Sequence, residues 1–165
     1  MTDFDRLNHR ESHPAGDGGD IGMTAARNQP YVGAMDHRAA QDWLDRYVAA
    51  WTSYRPDAIG ALFSDDVSYR YHPYDEPITG REAVVASWLG QSEAEGASTL
   101  DAPGTFEAAY APIAVDGDAV VATGTTSYRE TAGGPVVQVY DNCFVMRFDD
   151  AGQCRDFTEF YVKRP

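Results

Sequence analysis

Residues 57–71 read DAIGALFSDDVSYRY, and a change of pattern within this stretch decides the fold class. Its first part carries apolar side chains at three- and four-residue steps, which predicts a short helix that begins at Pro56 and ends at the polar pair Asp65-Asp66. Its last five residues alternate between apolar and polar side chains, which is typical of a strand with one buried face. The sequence therefore predicts a helix followed directly by a strand.

Two further helices are predicted on either side of this stretch. Residues 37–53 carry apolar side chains at helical spacing, and Asp36 in front of them is a suitable N-cap. The sequence TGRE at 79–82 has the spacing of a capping box. It predicts a third helix that runs to about Leu89.

The second half of the chain is predicted to be mostly strand. Residues 90–103 are small, acidic and glycine-bearing, which indicates a surface loop. Turn signals then separate four alternating segments, at residues 106–115, 119–129, 136–148 and 154–163. Three helices followed by an antiparallel meander predict an α+β fold, in which a curved sheet wraps the helices and encloses a pocket.

The register of the last hairpin predicts which side chains share the pocket face. If residues 149–152 form the loop, Phe148 pairs with Gln153 and Asn142 lies opposite Glu159. The same register pairs Phe144 with Phe157 and Tyr140 with Tyr161. A slip by a whole pair changes the partners but keeps the face, so Asn142 and Glu159 are expected among aromatic side chains. The opposite face is expected to carry Cys143 and Cys154, unbridged.

Composition and charge divide the chain and exclude several classes of partner. Residues 1–36 are rich in Gly, Pro and Asp and have no apolar period, so we predict a disordered or loosely ordered tail before a single domain at 37–165. The formal charge of −13 repels phosphate backbones, so no nucleic acid partner is expected. The absence of a long apolar run predicts no membrane partner and a cytoplasmic protein. No metal site and no cofactor are expected, because no cluster of histidines or spaced carboxylates appears.

The order of elements resembles the nuclear transport factor 2-like superfamily, and within it the SnoaL-like branch of polyketide-cyclase and ketosteroid-isomerase-like proteins. The resemblance rests on YVAAW at 47–51, on DAIGALFSDD at 57–66 and on PITGREA at 77–83. The strand DNCFVMRFD at 141–149 and the closing FTEFY at 157–161 are similar to the SnoaL-like branch. The resemblance implies a cone-shaped fold, a pocket between helices and sheet, and a homodimer formed through the sheet.

The resemblance also implies a set of pocket residues and argues against one activity. Tyr47 falls where ketosteroid isomerases have an oxyanion-hole tyrosine. Tyr71 and Phe144 stand where that family has its two catalytic aspartates, so steroid isomerisation by that mechanism is not expected. The residues expected to bind a substrate are Trp51, Tyr71, Trp88, Tyr140, Asn142, Phe144, Phe157 and Tyr161.

Three residues are candidates for catalysis. Glu159 is expected among aromatic rings, where loss of hydration raises the pKa of a carboxyl group towards the range useful for proton transfer. His72 lies three residues before Asp75, a spacing suited to orienting an imidazole, and Tyr47 is placed to bind a developing oxyanion. For Glu159 a structural pair with Asn142 or a tyrosine is the alternative, and for His72 a surface position in a loop.

Two functions from different classes follow from this pocket. The first is a cofactor-independent enzyme that acts on a small hydrophobic molecule, cyclic or polyketide-like, by cyclisation, isomerisation, dehydration or hydration. The second is a non-catalytic ligand-binding or dimerisation module that uses the same cavity for recognition. The fold does not decide between them.

Overall fold

The computed structural model describes residues 35–91 and 100–165. The helices are α1 (His37–Ser53), α2 (Pro56–Gly60) and α3 (Arg81–Trp88). The strands are β1 (Phe63–Arg70), β2 (Ile78–Thr79), β3 (Phe106–Asp116), β4 (Ala119–Arg129), β5 (Val136–Phe148) and β6 (Cys154–Lys163). Most of the predicted tail lies outside the described residues. Its last two residues join the folded part, since Met35 is buried and the Asp36 carboxylate caps α1 by accepting from the Ala39 N–H at 2.7 Å.

The six strands form one sheet in the order β2-β1-β6-β5-β4-β3. All neighbouring strands are antiparallel except β1 and β6, which run parallel. The predicted antiparallel meander of β3 to β6 is confirmed, and the parallel pairing of β1 with β6 is an addition that the sequence did not predict. The meander of β3 to β6 brings the last strand back beside the first, and this pairing across most of the chain is invisible to local sequence patterns.

Strand β1 begins four residues earlier than the alternation predicted. Ile59, Leu62 and Phe63 have helical spacing, but α2 ends at Gly60 and Phe63 already pairs with Cys154 of β6. The Cys154 N–H also donates to the Leu62 carbonyl at 2.9 Å. The backbone groups that would form helical hydrogen bonds in a longer α2 are thus bonded to β6 instead.

The predicted capping box at 79–82 is absent. Thr79 lies in β2, and the N-cap of α3 is Gly80, whose φ of 94° favours glycine and which has no side chain to cap with. The Gly80 N–H instead donates to the Val67 carbonyl at 2.8 Å. Arg81 then fixes the start of α3 to β1 through the Phe63 carbonyl at 2.8 Å and the Asp65 carboxylate at 2.7 Å.

The observed register of β5 and β6 is shifted by one whole pair from the prediction. Asn142 lies opposite Tyr161, and Glu159 lies opposite Phe144. The other pairs are Tyr140 with Lys163, Met146 with Phe157 and Phe148 with Cys154. The shift keeps the predicted face for Asn142 and Glu159, because side chains alternate with a period of two.

A bulge near the β5–β6 turn corrects the position of Cys154. The ladder steps from the pair Arg147–Asp156 to the pair Phe148–Cys154, which leaves Arg155 as an extra residue on β6. The extra residue reverses the phase of alternation, so Cys154 is buried in the core rather than on the outer face, and burial raises the pKa of its thiol. Cys143 and Cys154 are both free, as expected.

The core lies between the helices and the sheet and is rich in aromatic rings. Trp43 of α1 is fully buried, contacts the rings of Phe63 and Phe148, and donates its indole N–H to the Leu62 carbonyl at 3.0 Å. Phe157 of β6 stacks on the Tyr69 ring with centroids 4.7 Å apart. This packing fixes α1 over the sheet and leaves the space beside it that forms the candidate site.

Candidate functional site

A cavity of about 500 Å³ opens between α1, α3 and the inner face of the sheet. Its wall is mostly aromatic, with two carboxylates and a few neutral polar groups. The residues that line it are Tyr47, Trp51, Tyr54, Tyr69, Tyr71, His72, Trp88, Asp101, Tyr110, Thr126, Tyr128, Gln138, Tyr140, Asn142, Glu159 and Tyr161. This volume suits a small organic molecule, and the wall combines apolar area with a limited number of polar atoms.

Glu159 of β6 is the central polar group of the cavity. Its Oε1 accepts a hydrogen bond from Asn142 Nδ2 at 2.7 Å. Burial of the carboxyl group raises its pKa from the ordinary value of 4.5 to about 7, although the Asn142 bond and the nearby His72 act in the opposite direction. Near neutral pH the group is therefore present in both protonation states, and it is able to accept or donate a proton.

The Asn142 amide belongs to a chain of hydrogen bonds that runs across three strands. Thr126 Oγ1 donates its single proton to Asn142 Oδ1 at 3.1 Å. The Tyr110 hydroxyl lies 2.6 Å from the same Oγ1 and is therefore the donor in that second bond. Gly124 leaves room for this arrangement, because a Cβ there would lie 2.5 Å from the Tyr110 ring. The chain fixes the amide so that its N–H group points at Glu159.

The floor of the cavity presents hydrogen-bond donors from two tyrosines and a tryptophan. The hydroxyl oxygens of Tyr47 and Tyr69 lie 3.5 Å apart, so one phenol proton is used between them and the other is free. Trp88 is 5% exposed, and its Nε1 forms no well-aligned hydrogen bond among the described residues, although the indole is near enough to the Tyr69 hydroxyl to lower the pKa of that phenol. Burial raises the pKa of both phenols, so they stay protonated. An indole N–H and a phenol O–H are thus available to an acceptor atom of a ligand.

Tyr71 and His72 hold the rim of the cavity beside the end of β1. The Tyr71 hydroxyl lies 3.0 Å from Ser87 Oγ, and burial raises its pKa to about 12. His72 Nδ1 lies 2.9 Å from Asp75 Oδ2, as the spacing predicted, and its Nε2 lies 2.5 Å from the Tyr161 hydroxyl. In the tautomer whose Nδ1–H donates to Asp75, the Nε2 atom accepts a hydrogen bond from the Tyr161 hydroxyl. Hydrogen bonds at both ring nitrogens therefore fix the orientation of the imidazole.

A second carboxylate lies at the end of α1. Asp101 Oδ2 accepts from Trp51 Nε1 at 3.1 Å and from the Tyr54 hydroxyl at 3.3 Å, and the Asp101 N–H donates to that hydroxyl at 3.0 Å. Tyr54 ends α1 in the left-handed region at φ 47°. Burial raises the pKa of Asp101, and the two donors act in the opposite direction.

Comparison with known proteins gives the family. The sequence profile of the SnoaL-like domain matches residues 44–157, which is more than half of the chain. The chain belongs to the SnoaL-like domain family. This SnoaL-like domain has the nuclear transport factor 2-like fold that the order of elements predicted.

A solved structure shows the same fold. It is a Kribbella flavida protein provisionally described as a ketosteroid isomerase, with a TM-score of 0.53 and 18% sequence identity, and the match covers 79% of this chain and 82% of that one. At this identity the likeness establishes the fold of the SnoaL-like domain and carries no chemistry with it. No curated protein matches the sequence.

Most of the predicted site residues lie at the cavity wall of this SnoaL-like domain. They are Tyr47, Trp51, Tyr71, His72, Trp88, Tyr140, Asn142, Glu159 and Tyr161. Phe144 and Phe157 do not line it, which corrects their assignment as substrate-binding residues. Both are buried beneath the wall, because the rings of Tyr47 and Tyr110 cover Phe144 while those of Tyr47 and Tyr69 cover Phe157.

Several lining residues escaped the sequence analysis: Tyr54, Tyr69, Asp101, Tyr110, Thr126, Tyr128 and Gln138. Tyr69 carried a usable signal, since it was predicted to share a strand face with Tyr71. Asp101 carried none, because it lies in the segment predicted to be a surface loop.

Two findings concern classes of partner. Within residues 35–91 and 100–165, no group of three or more His, Cys, Asp or Glu side chains is arranged to hold a metal ion. In the same ranges, no helix has the length and apolar character needed to cross a membrane.

Proposed function

We propose that this SnoaL-like domain binds a small hydrophobic molecule in its cavity and transforms it by cofactor-independent acid/base chemistry, with Glu159 as the group that transfers the proton. The reaction class is cyclisation, isomerisation, dehydration or hydration of a cyclic or polyketide-like compound. The observation that carries the proposal is the carboxyl group of Glu159, held in an aromatic cavity with a pKa of about 7. A carboxyl group tuned to neutral pH in a cavity is typical of a general acid or base.

The donors on the cavity floor support a reaction at a carbon next to an oxygen. Removing a proton from such a carbon moves negative charge onto the oxygen, which hydrogen-bond donors stabilise. Trp88 Nε1–H and the phenol pair of Tyr47 and Tyr69 supply such donors, in competition only with the phenol oxygens themselves. His72 is the second proton-transferring group in this proposal, and it acts through the Tyr161 hydroxyl that is hydrogen-bonded to its Nε2 at the rim.

We also propose that the protein is a homodimer formed through the outer face of the sheet. Val137, Val145, Phe160 and Val162 on β5 and β6 are exposed, and Cys143 lies directly opposite Phe160 in the ladder. A largely apolar strip of this kind, interrupted by Asp141 opposite Val162, is typical of a surface that a partner covers. A second copy of the same chain is the simplest partner with a matching face.

Deuterium uptake by a cyclic ketone tests the catalytic role of Glu159. With 2-tetralone in D₂O, the protein should accelerate exchange of the C–H hydrogens beside the carbonyl, as followed by proton NMR. Glu159→Gln keeps shape and polarity but removes the titrating proton, so the accelerated rate should fall by roughly two to four powers of ten while binding persists. Glu130→Gln, at an exposed position after β4, is the matched control and should leave the rate unchanged.

The pH profile separates catalysis from recognition. If the Glu159 carboxylate is the base, the rate should rise with pH and level off above about 7. An exchange rate that Glu159→Gln does not alter contradicts the assignment. Binding of 2-tetralone without any acceleration favours the non-catalytic ligand-binding module.

A further inference from the structure

The cavity contains a carboxylate that the proposed acid/base chemistry does not use. Asp101 lies at the end of α1, and its three short contacts join it to Trp51 and Tyr54 rather than to Glu159. The two donors to its carboxylate are an indole N–H and a phenol O–H, which carry no formal charge. Among the described residues neither Asp101 nor Glu159 forms a salt bridge with an arginine or lysine.

The charge of the cavity wall disfavours anionic ligands. Of the described lining residues none is lysine or arginine, and His72 is the only basic side chain among them. An anionic molecule would therefore enter a low-dielectric space beside two carboxylates without a cation to compensate it. The formal charge of −13 on the whole chain acts in the same direction.

The aromatic rings near Asp101 favour positive charge. Trp51 stacks on Phe106 with centroids 4.2 Å apart, Phe106 contacts Tyr128, and Tyr128 contacts Tyr140. Indole and phenol rings attract a cation through their faces, more strongly where water is excluded. Tyr128 lines the same cavity, and after burial the charges of Asp101 and Glu159 both raise the pKa of its phenol.

An independent observation marks this space as a ligand site. Trp88 Nε1 is buried in the same cavity wall without a well-aligned hydrogen bond among the described residues, with the Tyr69 hydroxyl as its nearest candidate acceptor, and a buried donor without a good acceptor is unfavourable until something supplies one. A bound molecule is a direct source of such an acceptor. The cavity wall therefore offers both an indole N–H donor, from Trp88, and a carboxylate, from Asp101.

We propose that the ligand of this cavity is a hydrophobic amine, whose protonated nitrogen binds the Asp101 carboxylate beside Trp51 and Tyr54. The proposal rests on the proposed function only in placing the ligand in the same cavity. The ammonium group supplies the positive charge that Asp101 lacks, and the apolar part of the molecule fills the aromatic space towards Glu159. Asp101 is thus a specificity-determining residue, while Glu159 transfers the proton.

Binding of three matched probes tests this assignment. The probes are 2-(aminomethyl)naphthalene, 2-(hydroxymethyl)naphthalene and 2-naphthoate, which share a ring system and differ in charge. Dissociation constants are measured by calorimetry on the full chain at about pH 6 and about pH 8, on either side of the Glu159 pKa. At the lower pH most Glu159 is neutral, so any preference for the amine there reports on Asp101.

We expect the amine to bind about tenfold or more tightly than the alcohol at both pH values, and the naphthoate to bind most weakly. Asp101→Asn keeps an oxygen that accepts from Trp51 and Tyr54 but removes the charge, so it should reduce the preference to within about threefold. Glu130→Gln, which removes a carboxylate at an exposed position outside the cavity, is the matched control and should leave the preference unchanged, while Glu159→Gln serves to separate the two carboxylates. The wild-type comparison at low pH tests the proposal even where a variant fails to fold.

The proposal is overturned by an alcohol that binds as tightly as the amine at low pH, or by an amine preference that Asp101→Asn leaves unchanged. A preference seen only at high pH and lost in Glu159→Gln would assign the amine to Glu159 instead, which also overturns it. The measurement is of binding alone, so its outcome is separate from the exchange experiment on 2-tetralone. If the exchange experiment shows no catalysis, the amine assignment is unaffected. If the binding experiment shows no preference for the amine, the proposed catalytic role of Glu159 is unaffected.

Discussion

Asn142 donates its side-chain N–H to Glu159 Oε1 across 2.7 Å, although the ladder pairs Asn142 with Tyr161 and Glu159 with Phe144. The bond is diagonal, between positions two residues apart in register on the same face of β5 and β6. It joins the Glu159 carboxyl group, whose pKa burial raises to about 7, to an amide that Thr126 holds in place.

Glu159 should make the stability of the fold depend on pH. Its pKa is raised in the folded state, to about 7, so the unfolded state binds fewer protons between pH 4.5 and 7. The free energy of unfolding should therefore fall as pH rises through this window, by up to about 3 kcal/mol, and level off above it. Urea unfolding of the wild type and of Glu159→Gln at a series of pH values isolates the effect. Parallel curves for the two proteins would show that the group titrates normally.

Removing the Asn142 donor should raise the pKa of Glu159 further. The Asn142 bond favours the charged carboxylate, so Asn142→Leu, which is similar in size, should shift the titration upwards. Carbon-13 NMR of the labelled glutamate carboxyl measures it directly. Gln138→Leu is the control, since Gln138 lines the same cavity but donates to the Val139 carbonyl. A lower or unchanged pKa in Asn142→Leu would contradict the role of this bond.

Trp88→Phe should weaken binding of ligands that carry an acceptor oxygen. The change removes the buried indole N–H while an aromatic ring stays in place. We expect the affinity for 2-tetralone to fall about fivefold more than the affinity for tetralin, which has the same rings and no carbonyl. Calorimetry on both compounds makes the comparison. Equal losses for the two would show that Trp88 contributes only its packing.

The outer face of β5 and β6 should carry the dimer contact. Val145 is 43% exposed on this face, so Val145→Glu should fold normally as a single chain but place a charge in the interface. We expect the wild type to sediment as a dimer and the variant to dissociate about a hundredfold more readily. Ala151→Glu, in the exposed β5–β6 turn, is the control. A wild-type protein that remains monomeric at high concentration would contradict the dimer.

A chain shortened to begin at Met35 should keep its melting temperature within a few degrees. The removed residues carry no periodic apolar face, whereas Met35 is buried and Asp36 caps α1, so both are retained. Differential scanning calorimetry on the full and shortened chains measures the difference. A loss of many degrees would show that the removed segment packs against the domain.

Local patterns in the sequence predicted α1, strands β3 to β6 and the face that Asn142 and Glu159 share. Each of these depends on alternation or helical spacing among neighbouring residues, which the chain itself encodes. Nine of the eleven predicted site residues lie at the cavity wall for the same reason. The Phe144 and Phe157 rings share that face, but side chains packed above them decide that they are buried.

The tertiary structure alone decided the parallel pairing of β1 with β6, the bulge at Arg155 and the place of Asp101 in the cavity. The pairing joins segments about ninety residues apart. Because of its hydrogen bonds, Phe63 lies in a strand although its spacing from Ile59 is helical. The bulge changed which face Cys154 occupies, because one extra residue reverses alternation. The pKa of Glu159 also depends on its surroundings, since desolvation requires rings from several elements to enclose one carboxyl group.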